Sequence, residues 1–317
     1  MRKNVNRVNL QGYVWGFNLE VKTGKTEGSK MFGKQYINGT LEVAVDEACL
    51  NVIPVYFSCV TPEFGISGKT NATYGVLEKI INENKTVQSC GKDGAMKIKV
   101  DTALGVNDFI NKNDEMISVK RCDGGFVSFV DALPEEDKRN EFTMDMLILN
   151  ATRTEADPER HIDRDYVTVK GFVFNYTNAI LPADFRVYIP QGMEYFENAE
   201  PSKAEPLYTQ LSGYINCSTI KEQREEESAF GEARVITTER KTREWVVKWA
   251  KPTPYEIGED ITKEEFAQAM ADRELVLANV KKRDEEYKAS KNNSGNVFTA
   301  TPAATPVTPK SSGAFVF

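Results

Sequence analysis

Hydrophobic and polar positions alternate along two similar stretches of the chain, one near its start and one past its middle. Residues 8–15 and residues 167–174 both follow the pattern V-x-(L/V)-x-G-aromatic-V-aromatic. Alternate side chains of an extended strand lie on opposite faces, so one face of each stretch is aliphatic and the other is polar and then aromatic. The pattern predicts two β-strands, each with a bulge or bend at its glycine, Gly12 or Gly171.

A bent strand of this kind takes part in both layers of a small barrel, and its duplication favours two such barrels. The offset between the copies fits two units of roughly 100 to 150 residues, the usual domain size. Residues 35–45 and 51–60 alternate like a hairpin, and residues 73–82 have a short helical period that suits a helix between the third and fourth barrel strands. We therefore expect Gly12 and Gly171 to occupy equivalent positions in two barrels.

The predicted fold is mainly β, with two small β-barrels in tandem, a C-terminal α-helix and a disordered tail. The predicted boundaries are 1–155 for the first barrel, 156–165 for a polar linker, 166–260 for the second barrel, 261–289 for the helix and 290–317 for the tail. Thr262 followed by Glu265 is the signature of a capping box, and Phe266 and Met270 begin one apolar helix face. The tail is rich in Asn, Ser, Thr, Ala and Pro and cannot bury enough apolar surface to fold alone.

Composition and motifs limit the function. A chain of 317 residues with 40% hydrophobic and 27% charged residues is ordinary for a soluble protein, and no apolar run approaches the ~20 residues of a membrane span. No secretory signal is recognisable at the start, so we expect a cytoplasmic protein. The five cysteines are widely spaced without C-x-x-C, and the sole histidine, His161, lies in the predicted linker. Because no catalytic motif is present, we expect no enzyme activity, no metal and no cofactor.

Charge is distributed unevenly along this acidic chain, whose formal net charge is -7. Residues 1–40 and residues 234–251 are basic, and they contain all three tryptophans. Single-stranded nucleic acids bind to cations that track the phosphates and to flat side chains on which bases stack. The alternative is that the cations only solubilise exposed strands and that the tryptophans are core residues. The candidate binding residues are Tyr13, Trp15, Phe17, Lys22, Lys25, Lys30, Lys34, Lys170, Phe172, Phe174, Arg240, Arg243, Trp245 and Trp249.

Residues 8–17, the Lys-rich segment after them and the strand at 41–45 together resemble the opening of an oligonucleotide-binding (OB) fold, and residues 166–176 resemble a second opening. The resemblance is to OB-fold single-stranded DNA-binding proteins of the phage replication type. The tail ending in Phe317 has a similar layout, although it lacks the acidic residues that usually precede the final aromatic residue.

This resemblance implies a non-enzymatic protein that coats and protects single strands in DNA replication or recombination, in the host cytoplasm if it is phage-encoded. It also implies a protein partner for the tail. The residues themselves do not separate DNA from RNA, because the distinguishing contact is with the 2′-OH; the resemblance favours DNA. The alternative is a phage structural or assembly protein built from two β-barrel modules.

Overall fold

The computed structural model describes residues 3–64, 68–226, 230 and 234–294, and most of its regular structure is β. The strands are β1 Asn6–Thr23, β2 Gln35–Ala44, β3 Val52–Val60, β4 Glu63–Phe64, β5 Lys69–Thr70, β6 Lys97–Ile110, β7 Met116–Phe129, β8 Asn140–Thr154, β9 Tyr166–Phe174, β10 Ile180–Val187, β11 Leu207–Asn216, β12 Thr219–Glu226, β13 Arg234–Lys241 and β14 Glu244–Ala250. The α-helices are α1 Ala72–Glu83, α2 Val87–Gly94, α3 Pro190–Asn198 and α4 Lys263–Ser294. The mainly β prediction is confirmed.

The first barrel consists of β1, β2, β3, β7 and β6, which pair in that order and close through β1 and β6. Its third and fifth strands, β3 and β7, run parallel. This strand order, 1-2-3-5-4-1, is the five-stranded Greek-key arrangement of an OB fold. Fully buried aliphatic side chains such as Val8, Leu10 and Leu41 fill its interior. The predicted helix between the third and fourth strands is α1, whose first turn is capped by Asn71.

The second barrel repeats this topology with β8, β9, β10, β14 and β11, closed through β8 and β11. Its third and fifth strands, β10 and β14, also run parallel. In its interior the rings of Phe142, Phe185 and Trp245 lie 5.3 to 6.0 Å apart. Helix α3 takes the place of α1; it is not among the predicted elements, although Pro190 at its first turn is a common helix start. The prediction of two OB-like barrels is confirmed.

The barrels meet along one continuous sheet because β1 pairs antiparallel with β8, with Asn6 opposite Met144. Strand β8 also pairs with β9 and β11, so it opens the second barrel and does not end the first. The predicted boundaries at 155 and 166 are therefore wrong, and residues 156–165 connect the first two strands of the second barrel. A strand that alternates like its neighbours does not reveal in its sequence which barrel it joins.

Gly12 and Gly171 do not occupy equivalent positions. Gly12 lies in the first strand of the first barrel, whereas Gly171 lies in the second strand of the second barrel. A Cβ atom at Gly12 would collide with the carbonyl oxygen of Ala44, and one at Gly171 with that of Leu147. The repeated motif therefore reflects close approach of a neighbouring backbone in two different strands, while the true counterpart of β1 is β8.

The capping box at the start of α4 is present. The Glu265 amide donates to the Thr262 hydroxyl at 3.1 Å, and the Thr262 amide donates to the Glu265 carboxylate at 2.9 Å. The helix continues through Ser294, beyond the predicted end at 289. The remainder of the predicted disordered tail, residues 295–317, lies outside the described residues, so its state and its partner stay predictions.

Candidate nucleic-acid interface

A β-bulge in β1 separates the aromatic residues Tyr13, Trp15 and Phe17, which simple alternation places on one face. The register with β2 shifts between Val14 and Gly16. One extra residue in a strand moves every later side chain to the opposite face. Phe17 therefore packs against the interior of the first barrel, while Tyr13 and Trp15 pack together outside it. The prediction of three rings on one face is wrong.

The outer side of β1 at Tyr13 is covered by an ion-pair cluster. The Tyr13 side chain is buried, and its hydroxyl donates to Glu47 at 3.4 Å. Glu47 also pairs with Arg139 at 2.6 Å and with Lys92 at 3.0 Å. Burial, and then the negative charge of Glu47, raises the pKa of Tyr13. Tyr13 therefore offers no face to a base, whereas the partly buried Trp15 keeps some exposed surface.

Helix α4 covers the aromatic face of β9. The Phe172 ring lies 6.0 Å from the ring of Phe266 in α4, and Phe174 is fully buried with its ring 6.0 Å from Tyr208. Trp245 is buried inside the second barrel. Phe174 and Trp245 are therefore core residues, and the prediction that they stack on bases is wrong for both; Phe172 is only partly covered.

The predicted lysines of the first barrel lie on and beside the β1–β2 connection. Lys25, Lys30 and Lys34 are exposed, and Lys22 at the end of β1 pairs with Glu20 at 3.1 Å. Lys30 and Lys34 line a cavity of about 970 Å³ between this connection and the end of β3. Oligonucleotides bind OB folds at the face of the second and third strands and at the adjoining loops, so these cations lie beside the expected surface.

Two adjoining cavities lie where the barrels meet, and we call them together the inter-barrel groove. One, of about 290 Å³, lies between β3 and β7 of the first barrel and β10, β11 and β14 of the second. The other, of about 660 Å³, extends along β9 and β10. Both are lined by Ser118, Lys120 and Asp184, where they join. Among the residues that the structure describes, the charged ones that line the groove are five cations and one carboxylate: Lys120, Arg121, Lys170, Lys203, Arg243 and Asp184.

Tyr56 provides a flat, partly exposed ring on the wall that belongs to the first barrel. It lies on β3, opposite Thr40 of β2 on one side and Asp123 of β7 on the other. The guanidinium of Arg121 lies 5.2 Å from the Tyr56 ring centroid and pairs with Asp123 at 3.2 Å. The outer face of β2 and β3 therefore leads directly into the groove.

Lys120 connects the two barrels at the point where the cavities join. Its Nζ atom lies 2.7 Å from Oδ1 of Asp184, donates to the carbonyl of Asp184, and lies 5.6 Å from the Phe185 ring. Burial lowers the pKa of Lys120, and the negative charge of Asp184 opposes that shift. The Lys120 side chain is 17% exposed and the Asp184 side chain 53% exposed, so the carboxylate is the member of this pair that faces solvent.

Two arginines and two tyrosines interleave beside the start of β9 and the end of β10, and we call them the Arg-Tyr ladder. Arg164 lies 3.9 Å from the Tyr188 ring centroid, Arg186 lies 4.6 Å from that of Tyr166, and the two rings are 5.6 Å apart. The partly buried carboxylate of Glu244 accepts from Arg186 at 2.8 Å and from Tyr188 at 2.5 Å, and thereby orients both. Burial, and then the bond to Glu244, raises the pKa of Tyr188 to about 12. The phenol is therefore protonated at neutral pH.

The structure brings some of the predicted residues together and leaves others apart. Lys170 and Arg243 line the inter-barrel groove, with Phe172 and Trp245 contributing to its walls. Trp249 is 46% exposed but lines a different cavity, of about 270 Å³, next to α3. Arg240 lies on β13.

Sequence reasoning missed the cations Lys120 and Arg121 and the ring of Tyr56. Tyr56 lies on a largely apolar strand, and Lys120 and Arg121 are followed closely by Asp123, so neither segment has the local excess of basic residues that marks residues 1–40 and 234–251. The ladder was detectable in part, because Arg164, Tyr166, Arg186 and Tyr188 recur at spacings of two along their segments. Period two places such residues on one strand face.

The described residues contain no group of three or more His, Cys, Asp or Glu side chains arranged to hold a metal ion. All five cysteines are free thiols. Burial raises the pKa of Cys217 to about 11 and raises that of Cys122 as well, so both are protonated at neutral pH. Within the described part of the chain, every helix is too short or too polar to cross a membrane.

Comparison with known proteins gives a family and a distant structural likeness. No curated protein matches the chain. Among solved structures, a deletion mutant of the single-stranded DNA binding protein from Thermus aquaticus is similar, with 11% identity over 81% of this chain and 98% of that chain and a TM-score of 0.45. The family model YorF matches residues 4–283, which is most of the sequence. The chain therefore belongs to the YorF family.

Proposed function

We propose that this protein binds single-stranded nucleic acid, DNA in particular, along the inter-barrel groove and the barrel faces that border it, without catalysing a reaction. The single observation that carries the proposal is the charge of the groove, whose described lining residues include five cations and one carboxylate. Cations in a continuous depression track phosphates, and the binding they supply is independent of base sequence.

The position of the groove supports the same function. OB folds bind oligonucleotides on the face of their second and third strands. In the first barrel that face carries Tyr56 at the groove wall, and in the second barrel it carries Lys170 and Arg186, with Tyr188 directly after the end of β10. Flat side chains on both faces supply stacking surfaces for bases on either side of the cations that line the groove.

The acidic character of the whole chain is compatible with this function. A localised basic groove still attracts phosphate, while the acidic remainder of the surface discourages non-specific adhesion. The role that follows is coating and protection of exposed strands during DNA replication or recombination. A phage replication setting, in the cytoplasm of the host, belongs to the same proposal.

A salt titration with fluorescein-labelled oligo(dT), followed by anisotropy, tests the proposal. Binding through Z phosphates weakens with salt with a log-log slope near -0.7Z. Arg243→Ala should weaken binding and reduce the magnitude of that slope by up to about 0.7. Tyr56→Ala should weaken binding by roughly 1 to 3 kcal/mol with little change in slope, because it removes a ring and no charge.

Lys85→Ala is the matched control, since Lys85 is exposed, pairs with Glu83 at 3.0 Å and lies outside the groove. Its affinity and slope should equal those of the wild type. Absent or salt-insensitive binding by the wild-type chain would contradict the proposal and leave the structural or assembly role as the better interpretation.

A further inference from the structure

The position where the two cavities of the groove join, which we call the crossing, carries a negative charge that repels the phosphates of the proposed ligand. Asp184 is the only carboxylate among the described residues that line the groove, and it lies where the two cavities join. A strand that passes from the first barrel to the second must pass this position. Its phosphates would meet Lys120, Arg121 and Lys170 there, but the nearest of these cations is already paired with Asp184.

We infer that Asp184 is an intramolecular competitor for phosphate, which holds Lys120 when the groove is empty and limits the affinity of the groove for a strand. This inference rests on the proposed function. A phosphate that binds at the crossing must either displace the carboxylate from Lys120 or lie beside a like charge. Both alternatives cost affinity relative to a groove without that carboxylate.

The geometry of the Lys120–Asp184 pair would allow a phosphate to replace the Asp184 carboxylate on Lys120. The Asp184 carboxylate is about half exposed, so it can turn toward solvent, whereas the Lys120 ammonium is held by the Asp184 carbonyl and lies near the Phe185 ring. Lys120 therefore stays at the crossing when the carboxylate leaves. Arg186, which follows Asp184 on the same face of β10, is itself bonded to Glu244 at 2.8 Å, so Lys120 is the cation that departure of the Asp184 carboxylate would release.

Asp184→Asn is the direct test, because the amide keeps the shape and an acceptor for Lys120 but removes the charge. With oligo(dT) at about 50 mM salt the variant should bind roughly threefold tighter than the wild type or better, and its salt slope should be steeper by up to about 0.7. The double variant Lys120→Gln, Asp184→Asn removes the cation as well. It should lose that gain and return close to wild-type affinity.

Melting temperature measured on the same samples separates this role from a structural one. Unchanged or weaker binding by folded Asp184→Asn would overturn the inference and leave the proposed function intact. A lower melting temperature together with weaker binding would show that the ion pair serves to hold the barrels together, which also overturns it. If the wild type itself binds no oligo(dT), the proposed function fails, and that result is distinguishable from the other two.

Discussion

Arg273 of the C-terminal helix and Asp108 of the first barrel form a two-pronged ion pair. The two guanidinium nitrogens lie 2.6 and 2.5 Å from the two carboxylate oxygens, and the side chains are only 10% and 8% exposed. Because α4 also packs on the second barrel through Phe266, this pair ties the β6–β7 hairpin to the other half of the molecule. The helix thus fixes the relative position of the two groove walls.

Arg273→Ala should lower the free energy of unfolding by about 3 kcal/mol, because removal of one partner leaves the Asp108 carboxylate buried and unpaired. Urea denaturation monitored by circular dichroism measures this loss. Lys282→Ala is the control on the same helix, since the Lys282–Glu286 pair is exposed and spans 4.0 Å. That change should cost less than about 0.5 kcal/mol. Equal effects of the two substitutions would contradict a special role for Arg273.

The same pair predicts sensitivity to acid. Burial alone raises the pKa of Asp108, but hydrogen bonds from Arg273 and Ser118 outweigh burial and hold the pKa below its usual value. A carboxyl group with a depressed folded-state pKa contributes stability that is complete above its unfolded pKa of about 3.9 and is lost as the pH falls through the folded pKa. The melting temperature of the wild type should therefore exceed that of Asp108→Asn at pH 7, and the difference should shrink below pH 4. A difference that stays constant with pH would contradict this assignment.

Two tryptophans four residues apart on β14 should differ sharply in their contribution to stability. Trp245 is 6% exposed and packs against Phe142 and Phe185, so Trp245→Ala should cost about 3 to 5 kcal/mol. Trp249 is 46% exposed, and Trp249→Ala should cost about 1 kcal/mol or less. Chemical denaturation of both variants measures the two losses of stability, and similar losses would contradict this prediction.

Local sequence predicts much of this fold, because alternation and capping act over a few residues. The hairpin of β2 and β3, the helix α1 and the capping box of Thr262 and Glu265 all follow from such patterns. Strand partnership does not, since β8 pairs with β1 and β11, which are distant in sequence, as well as with the next strand, β9. The boundary between the barrels is a long-range property for this reason.

The predicted site fails in part for two physical reasons. A single bulge between Val14 and Gly16 moves Phe17 to the barrel interior, and a period-two pattern contains no signal for that extra residue. The aromatic face of β9 is real, but it is covered by α4, so Phe174 is buried by a helix that lies far later in the chain. The predicted residues Lys170 and Arg243 do line the groove, because charged side chains stay at the surface however their strands pack.

Tyr188 in the Arg-Tyr ladder is positioned to stack on a base of a bound strand. Arg164 is exposed and lies over the Tyr188 ring at 3.9 Å, the position that a stacked base would take. A base and a guanidinium both bind to the face of an aromatic ring, so a bound strand should replace Arg164 on Tyr188. Tyr188→Ala should then weaken oligo(dT) binding by roughly 1 to 3 kcal/mol with an unchanged salt slope.

Two further variants separate the contribution of the Tyr188 ring to binding from that of its hydroxyl and from the general effect of losing a surface tyrosine. Tyr188→Phe keeps the ring and loses only the hydroxyl, which donates to Glu244 and accepts from Arg186, so its affinity should stay close to that of the wild type. Tyr176→Ala is the control for loss of a surface tyrosine, because Tyr176 is 97% exposed in the turn between β9 and β10 and does not line the groove. If Tyr188→Phe binds as weakly as Tyr188→Ala, the hydroxyl and its bond to Glu244 matter and the ring does not stack. If Tyr188→Phe and Tyr188→Ala are both folded and both bind like the wild type, the strand does not reach the ladder. Its path on the second barrel is then confined to the region around Lys170 and Lys203.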